Sequence, residues 1–129
     1  MLIPLNRYMA WRLFSELPQI IFLIHASAHI YIMYLKVHRA PDGSTVVAVC
    51  DRELLDRRLK HGDLELHVSE YFYGTTPADE GDVVRAIRDG NNINLIGEQA
   101  VGVAVDLGMV ERSGCMMIEG IPHAQIVRV

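Results

Sequence analysis

The eighteen residues from Asn91 to Gly108, NNINLIGEQAVGVAVDLG, decide how the rest of the chain is read. Asn91 or Asn92 offers a side-chain oxygen to cap a helix, and Gly108 supplies the usual left-handed stop. Between them Ile96, Ala100, Val103, Ala104 and Leu107 recur at i, i+4, i+7, i+8 and i+11, a helical stripe. Val101 and Val105 form a second row beside it. The spacing predicts a helix over about 92–107, apolar over most of its surface and therefore lying in the middle of the domain. Glu98 is its one charge before Asp106. Gly102 lies a turn further along the same face. A mid-helix glycine costs about 1 kcal/mol against alanine, which implies that another element approaches closely there.

A chain of 129 residues suffices for one domain with a core that needs no metal or disulfide staples. Half of the residues are hydrophobic and 22% are charged, which is a globular rather than a disordered composition. The net charge of -4 and pI near 5.8 exclude a protein that grips nucleic acid by bulk electrostatics. They leave room for a small basic patch docking on a ribonucleoprotein. Cys50 and Cys115 lie 65 positions apart and form no C-x-x-C pair. Both read as small core residues in a reducing compartment.

Residues 1–32 differ in character from the rest. They carry +1, which leaves -5 for residues 33–129. Leu17 to Leu35 holds no charge over 19 positions, the length of a membrane helix, but Pro18, Gln19, His25, Ser27 and His29 interrupt it. Ala26-Ser27-Ala28 mimics a signal cleavage site behind an apolar run of only five residues. A third reading makes Met33 the true start. The leader thus stands as upstream translated sequence, signal or anchor, followed by a single domain over 33–129.

From Met33 onward the pattern is regular. Tyr34–Arg39 and Ser44–Cys50 are strand-like, joined by the turn chemistry of Ala40-Pro41-Asp42-Gly43. Asp51 is placed to cap a short helix with Leu54, Leu55 and Leu59 on one face, ended by Gly62. Leu64, Leu66 and Val68 alternate with Glu65, His67 and Ser69 as a half-buried strand. Thr76-Pro77-Ala78-Asp79 has the form of a capping box, opening a helix with Val83, Val84 and Ile87 inside and a stop at Gly90. Two short strands, Cys115–Ile118 and Ala124–Val129, finish the chain about a Gly120-Ile121-Pro122 turn. Interspersed elements with tight hairpins give an α+β class, with a mostly antiparallel or mixed sheet and two to three helices.

Six histidines raise the question of a metal. His25 and His29 have i, i+4 spacing but no third ligand nearby, and His61 and His67 read as solvent-facing, so no metal site and no cofactor is expected. His38 ends the first strand, and His123 is held just after a proline. Each is either bonded to neighbouring backbone or set beside Glu98, where an acid and a base would share one cleft. Glu98 facing inward needs a hydrogen-bond partner, and the Gly120–Gln125 segment offers His123, the Gln125 amide and backbone N–H groups. Tyr71-Phe72-Tyr73 is either core or a platform for stacking bases. The basic run Arg52, Arg57, Arg58, Lys60 is interleaved with Asp51, Glu53 and Asp56 and reads as a solvated, self-paired face. No nucleophile elbow, phosphate-cradling loop or H-E-x-x-H occurs.

Tyr34-Leu35-Lys36-Val37-His38-Arg39, Phe72-Tyr73-Gly74, Asn94-Leu95-Ile96-Gly97-Glu98 with Ala100, and Gly120-Ile121-Pro122-His123-Ala124-Gln125 together resemble one family, the small archaeal domain of unknown function 424. Its members are sometimes labelled translation factors. The resemblance covers Met33 to Val129, 97 of 129 residues. It implies an archaeal cytoplasmic protein and carries over no catalytic residue. The expected function is a non-catalytic factor that binds a protein or ribonucleoprotein partner, with a candidate surface of Glu98, His123, Gln125, His38 and Tyr73. No bulk nucleic-acid binding is expected, and no membrane contact unless the leader is genuine. The alternative is a small enzyme using Glu98 with His38 or His123 for acid–base or metal-assisted chemistry. Oligomeric state is not fixed by the sequence.

Overall fold

Ala40 to Ser44 turns the chain back on itself as its residues demand. Asp42 accepts hydrogen bonds from the Ser44 N–H and hydroxyl at 2.9 and 2.7 Å, and Gly43 N–H closes on the Ala40 carbonyl at 2.9 Å. The strands on either side, β1 (Met33–Arg39) and β2 (Thr45–Asp51), pair antiparallel along their whole length. The computed structural model describes residues 32–128. The leader's His25 and His29, and the readings of it as signal or anchor, lie outside them.

After β2 the expected short helix is absent. A 3-10 turn over Arg52–Leu54 leads to β3 (Arg58–His61), which pairs with β4 (Leu64–His67) as a separate two-stranded sheet. Asp56, in the left-handed region at φ 68°, ends any helical path, and pairing across from Leu66 buries Leu59. One helical turn follows, α1 (Glu70–Tyr73), capped by the Ser69 hydroxyl, which accepts from Phe72 N–H at 3.2 Å.

Pro77-Ala78 does not open a helix. It forms β5, pairing with Met33 and Tyr34 of β1, because the Leu35 N–H draws the Thr76 carbonyl to the sheet edge. The capping box sits three residues later. Asp79 and Asp82 exchange bonds at 2.8 and 3.0 Å and start α2 (Glu80–Asp89), whose Val83 and Ile87 are buried as expected.

The stretch from Asn91 to Gly108 is two elements. β6 (Asn92–Ile96) runs parallel to β2, and α3 begins only at Glu98, with Gly97 at its N-cap, and runs to Asp106. The expected helix over 92–107 is therefore too long by its first third. Asn92, Ile93, Asn94 and Leu95 alternate with period two, and both apolar members are buried beside β2. Gly108, at φ +74°, ends α3 as expected, and Met109 N–H closes on the Ala104 carbonyl at 3.0 Å.

β7 (Met116–Ile118) and β8 (Ile121–Val127) form the last hairpin. Its turn is Glu119-Gly120, both at positive φ (52° and 77°), so Ile121 and Pro122 belong to the strand rather than to the turn. Pro122 is tolerated because it lies where the β6–β8 ladder ends, with its carbonyl accepting from Gly97 N–H at 2.9 Å.

The six strands stand in the order β5-β1-β2-β6-β8-β7, antiparallel except at the central β2–β6 junction. Helices α2 and α3 cover one face, packing Val83, Ile87, Ala100, Val101 and Ala104 on Val47, Val49, Ile93 and Leu95. The β3–β4 hairpin and α1 cover part of the other, setting Leu59, Val68 and Tyr73 against Ala48, Cys50, Ile96 and Ile118. The class is α+β.

Among the described residues nothing approaches Gly102. A Cβ there would meet no heavy atom within 4 Å among them, so no described element makes the expected close approach. Gly102→Ala is accordingly expected to stabilise the fold by about 0.5–1 kcal/mol, by restricting the unfolded chain and improving helix propensity. Thermal unfolding of the two proteins checks this, and a lower melting temperature in the variant would contradict it.

Candidate functional site on the open sheet face

Residues opposite one another on neighbouring strands share a face of the sheet. The face away from α2 and α3 carries Lys36, Ala48, Asn94 and Gln125 in one row across β1, β2, β6 and β8. His38, Val46, Asn92 and Val127 form the next row, and Cys50, Ile96 and His123 lie in the row on the other side. Four of the five residues expected from the sequence, His38, Tyr73, His123 and Gln125, thus meet this face. Asn92 and Asn94 join them, having been read as a helix cap and helix start.

The polar groups are tied to one another. The buried Tyr73 hydroxyl donates to Asn94 Oδ1 at 2.6 Å, and burial pushes its pKa well above the ordinary phenol range. The Gln125 amide donates to Asn92 Oδ1 at 3.3 Å. His38 Nε2 lies 2.8 Å from the Phe72 carbonyl, which only accepts, so Nε2 carries the proton. Its ring stacks on Phe72 with centroids 5.2 Å apart, and Phe72 meets Tyr73 edge-on at 4.9 Å. Lys36 reaches across to donate to the Tyr71 carbonyl at 2.8 Å. His38 and His123 are not partners, because two strands separate theirs, a gap of roughly 14 Å at ~4.8 Å per strand.

At the β8 end of this face lies a cleft of about 410 Å³, walled by Val110, Glu111, Cys115, Met116, His123 and Gln125. Cys50 is a core thiol as expected, with burial first and the Asp51 charge second pushing its pKa up to about 12. Cys115 reaches the core only at its rim. It is half-buried in the cleft wall, its thiol directed to the Glu111 carbonyl at 3.4 Å.

Glu98 does not face inward, and it does not join His123 or Gln125. It is the first residue of α3, exposed, and paired with both guanidinium nitrogens of Arg112 at 2.6 and 2.5 Å. The shift has a simple cause. Once Gly97 is the cap, Glu98 falls in the first helical turn, where an acid is stabilised by the helix dipole and points to solvent. The inward acid is Asp51 instead. Its buried carboxylate accepts from Gln99 N–H at 3.0 Å and Ala100 N–H at 2.8 Å, so it caps α3 and not the short helix expected after it. Burial raises the Asp51 pKa, and the two N–H bonds act against that rise.

Burial depresses the His123 pKa below 6.5, so the ring is neutral at pH 7. The unfolded chain then binds this proton more readily than the folded one. Stability is full above pH 6.5 and falls as pH drops from there to the folded value. His123→Gln is expected to lose less stability between pH 7.5 and 5.5 than the unsubstituted chain, both measured in denaturant, and equal losses would contradict this.

Among the described residues no three His, Cys, Asp or Glu side chains stand close enough to hold a metal ion, and no helix is long and apolar enough to cross a membrane. Fold and face together define a small α+β protein with a hydrogen-bonded polar sheet face and a cleft at its edge. The chain belongs to the family of proteins of unknown function designated DUF424, whose model matches residues 38–129. Its fold is similar to that of an uncharacterized conserved protein from Methanopyrus kandleri, at a TM-score of 0.64 and 29% identity, over 75% of this chain and 93% of that one. No curated protein matches the chain.

Proposed function

We propose that the domain is a non-catalytic binding protein, and that its open sheet face and edge cleft contact a protein component of a ribonucleoprotein engaged in translation. The observation that carries this reading is the paired polar groups of the sheet face. Tyr73 with Asn94, and Gln125 with Asn92, form two hydrogen-bonded pairs side by side across three elements, which yields a fixed, shaped surface rather than a reactive group. The enzyme alternative pairs Glu98 with His38 or His123, and Glu98 is engaged by Arg112; Glu111 and Cys115 share the cleft with His123, but among the described residues neither side chain is hydrogen-bonded to its ring. The charge of -5 over residues 33–129 favours a protein contact over a phosphate backbone.

The test uses the full chain as bait in native archaeal extract, with and without nuclease, beside Glu98→Gln and a His123→Ala/Gln125→Ala double variant. The expected result is a defined set of translation components, kept by Glu98→Gln and lost by the double variant. Equal recovery by all three baits would remove this face from consideration. Recovery of no translation component would remove the translation reading.

A further inference from the structure

The two edges of the six-stranded sheet are unlike. At one, β5 is two residues long, contains a proline and covers only Met33 and Tyr34 of β1; beyond it the β1 edge carries the charged Lys36 and Arg39, which blunt it. At the other edge β7 pairs with β8 only as far as Met116 opposite His123, and the preceding residues leave through a 3-10 turn over Arg112–Gly114. The second half of β8, Ala124–Val127, therefore has no strand neighbour on that side among the described residues. Its ladder with β6 alternates. Pro122 and Arg128 bond to Gly97 and Asn91, so Ala124 and Ile126 also turn their backbone groups to β6. The N–H and C=O of Gln125 and Val127 then point away from the sheet, with no partner among the described residues. Among the described residues no proline or bulge guards them; Glu111 stands at one end and Arg128 at the other, and Val127 is 61% exposed. The cleft opens directly beside Gln125, where β7 would have continued.

We propose that this half-edge binds an extended, basic peptide segment of another protein, which adds as a short strand beside Gln125–Val127 and places one side chain in the cleft. The inference deepens the binding role proposed above and rests on it. The backbone pattern supplies four hydrogen bonds at strand spacing, two at Gln125 and two at Val127. Charge sets the partner. Glu111 stands on the cleft wall without an ion-pair partner among the described residues, and the domain around it carries -5. Arg128, at the far end, is committed to the Arg88 and Gly90 carbonyls at 2.7 and 2.9 Å, so the basic residue of the peptide lies at the Glu111 end. A second copy of this chain is the poorer occupant. Self-pairing over three residues would bury far less than the ~1,200 Å² of a stable interface, and both copies carry the same net charge.

The probe is a blocked seven-residue peptide alternating lysine and valine, titrated into the full chain. Amide signals of Gln125 and Val127 are expected to shift saturably. Alkylation of Cys115, the thiol in the cleft wall, is expected to slow with the same midpoint, while Cys50 stays protected by burial. A peptide N-methylated at alternate residues leaves the protein untouched but loses its donors, and should bind at least about ten-fold more weakly, as expected for two lost hydrogen bonds. Gln125→Pro removes an outward N–H and should lose the peptide while unfolding at a similar temperature. No shift at millimolar peptide, an equal response to a glutamate–valine peptide, or full binding of the N-methylated form each overturns the proposal. A concentration-dependent dimer in sedimentation, abolished by Gln125→Pro, would give the edge to a second copy and also overturn it. If the peptide fails while the double variant above still loses its partner, strand addition falls and the sheet-face reading stands.

Discussion

Gly97→Ala is expected to destabilise the protein by about 2–6 kcal/mol, a large part of the ~5–15 kcal/mol that holds a domain together. Two costs add. Gly97 sits at φ +112°, which an alanine reaches only with strain of about 1–3 kcal/mol. A Cβ there would also lie 2.2 Å from the Asp51 Cγ, inside a fully packed junction, and forcing it in costs roughly another 1–3 kcal/mol. Urea denaturation with an unchanged slope measures the sum. A loss below about 1 kcal/mol would mean that the β6–α3 junction yields more easily than its packing implies.

Asp51→Ala removes the other half of the same contact. The Ala100 N–H is left buried without an acceptor, and the helix loses its cap. Together these should cost about 2–4 kcal/mol. The pH dependence has a definite sign. The folded pKa of Asp51 lies above 3.8, so between 3.8 and that raised value the folded state keeps a proton the unfolded chain has lost. The contribution of this group to stability is therefore greatest at low pH and declines as pH rises through the window, and Asp51→Ala should abolish that component. Asp51 is thus not a cause of acid unfolding. Because Asp51 is what the new methyl group in Gly97→Ala would strike, the double variant should lose clearly less than the sum of the singles. Strict additivity would show that the two residues do not share a contact.

What was legible in the sequence follows from how far each signal reaches along the chain. The β1–β2 hairpin and the inner face of α2 were legible because a turn and a 3.6-residue stripe are written in adjacent residues. Asn91–Gly108 was misread because two periodicities share one apolar run, and Ile96 fits both. The residue that divides them, Gly97, owes its conformation to Asp51, 46 positions earlier, and nothing local announces that. The alternation of Asn92, Ile93, Asn94 and Leu95 was available and would have exposed both the strand and the two missing amides of the polar face. Tyr73, His123 and Gln125 stood out because each is a polar or amphipathic group beside apolar neighbours, and His38 because it ends the first strand. Glu98 stood out for the same reason, but its direction depended on the helix start, which was misplaced. Cys115 reaches the core only at its rim, because its apolar neighbours Met116 and Met117 are 52% and 43% exposed at the sheet edge.

The parallel junction at the middle of the sheet has a consequence during synthesis. β1 and β2 emerge together and can pair at once, but β6 follows only after the 40 residues from 52 to 91. At the ~5–20 residues per second of a translating ribosome, the inner edge of β2 waits roughly 2–8 s for its neighbour. That edge, Thr45-Val46-Val47-Ala48-Val49-Cys50, is almost wholly apolar and β-prone, the composition that recruits other nascent chains. Chains arrested at Gly90 should therefore aggregate, and chains arrested far enough on to release β6 should not. Separation of arrested ribosome complexes by sedimentation would distinguish them. Slow codons, or a chaperone that covers an exposed strand, would matter most for this protein in that one interval of its production.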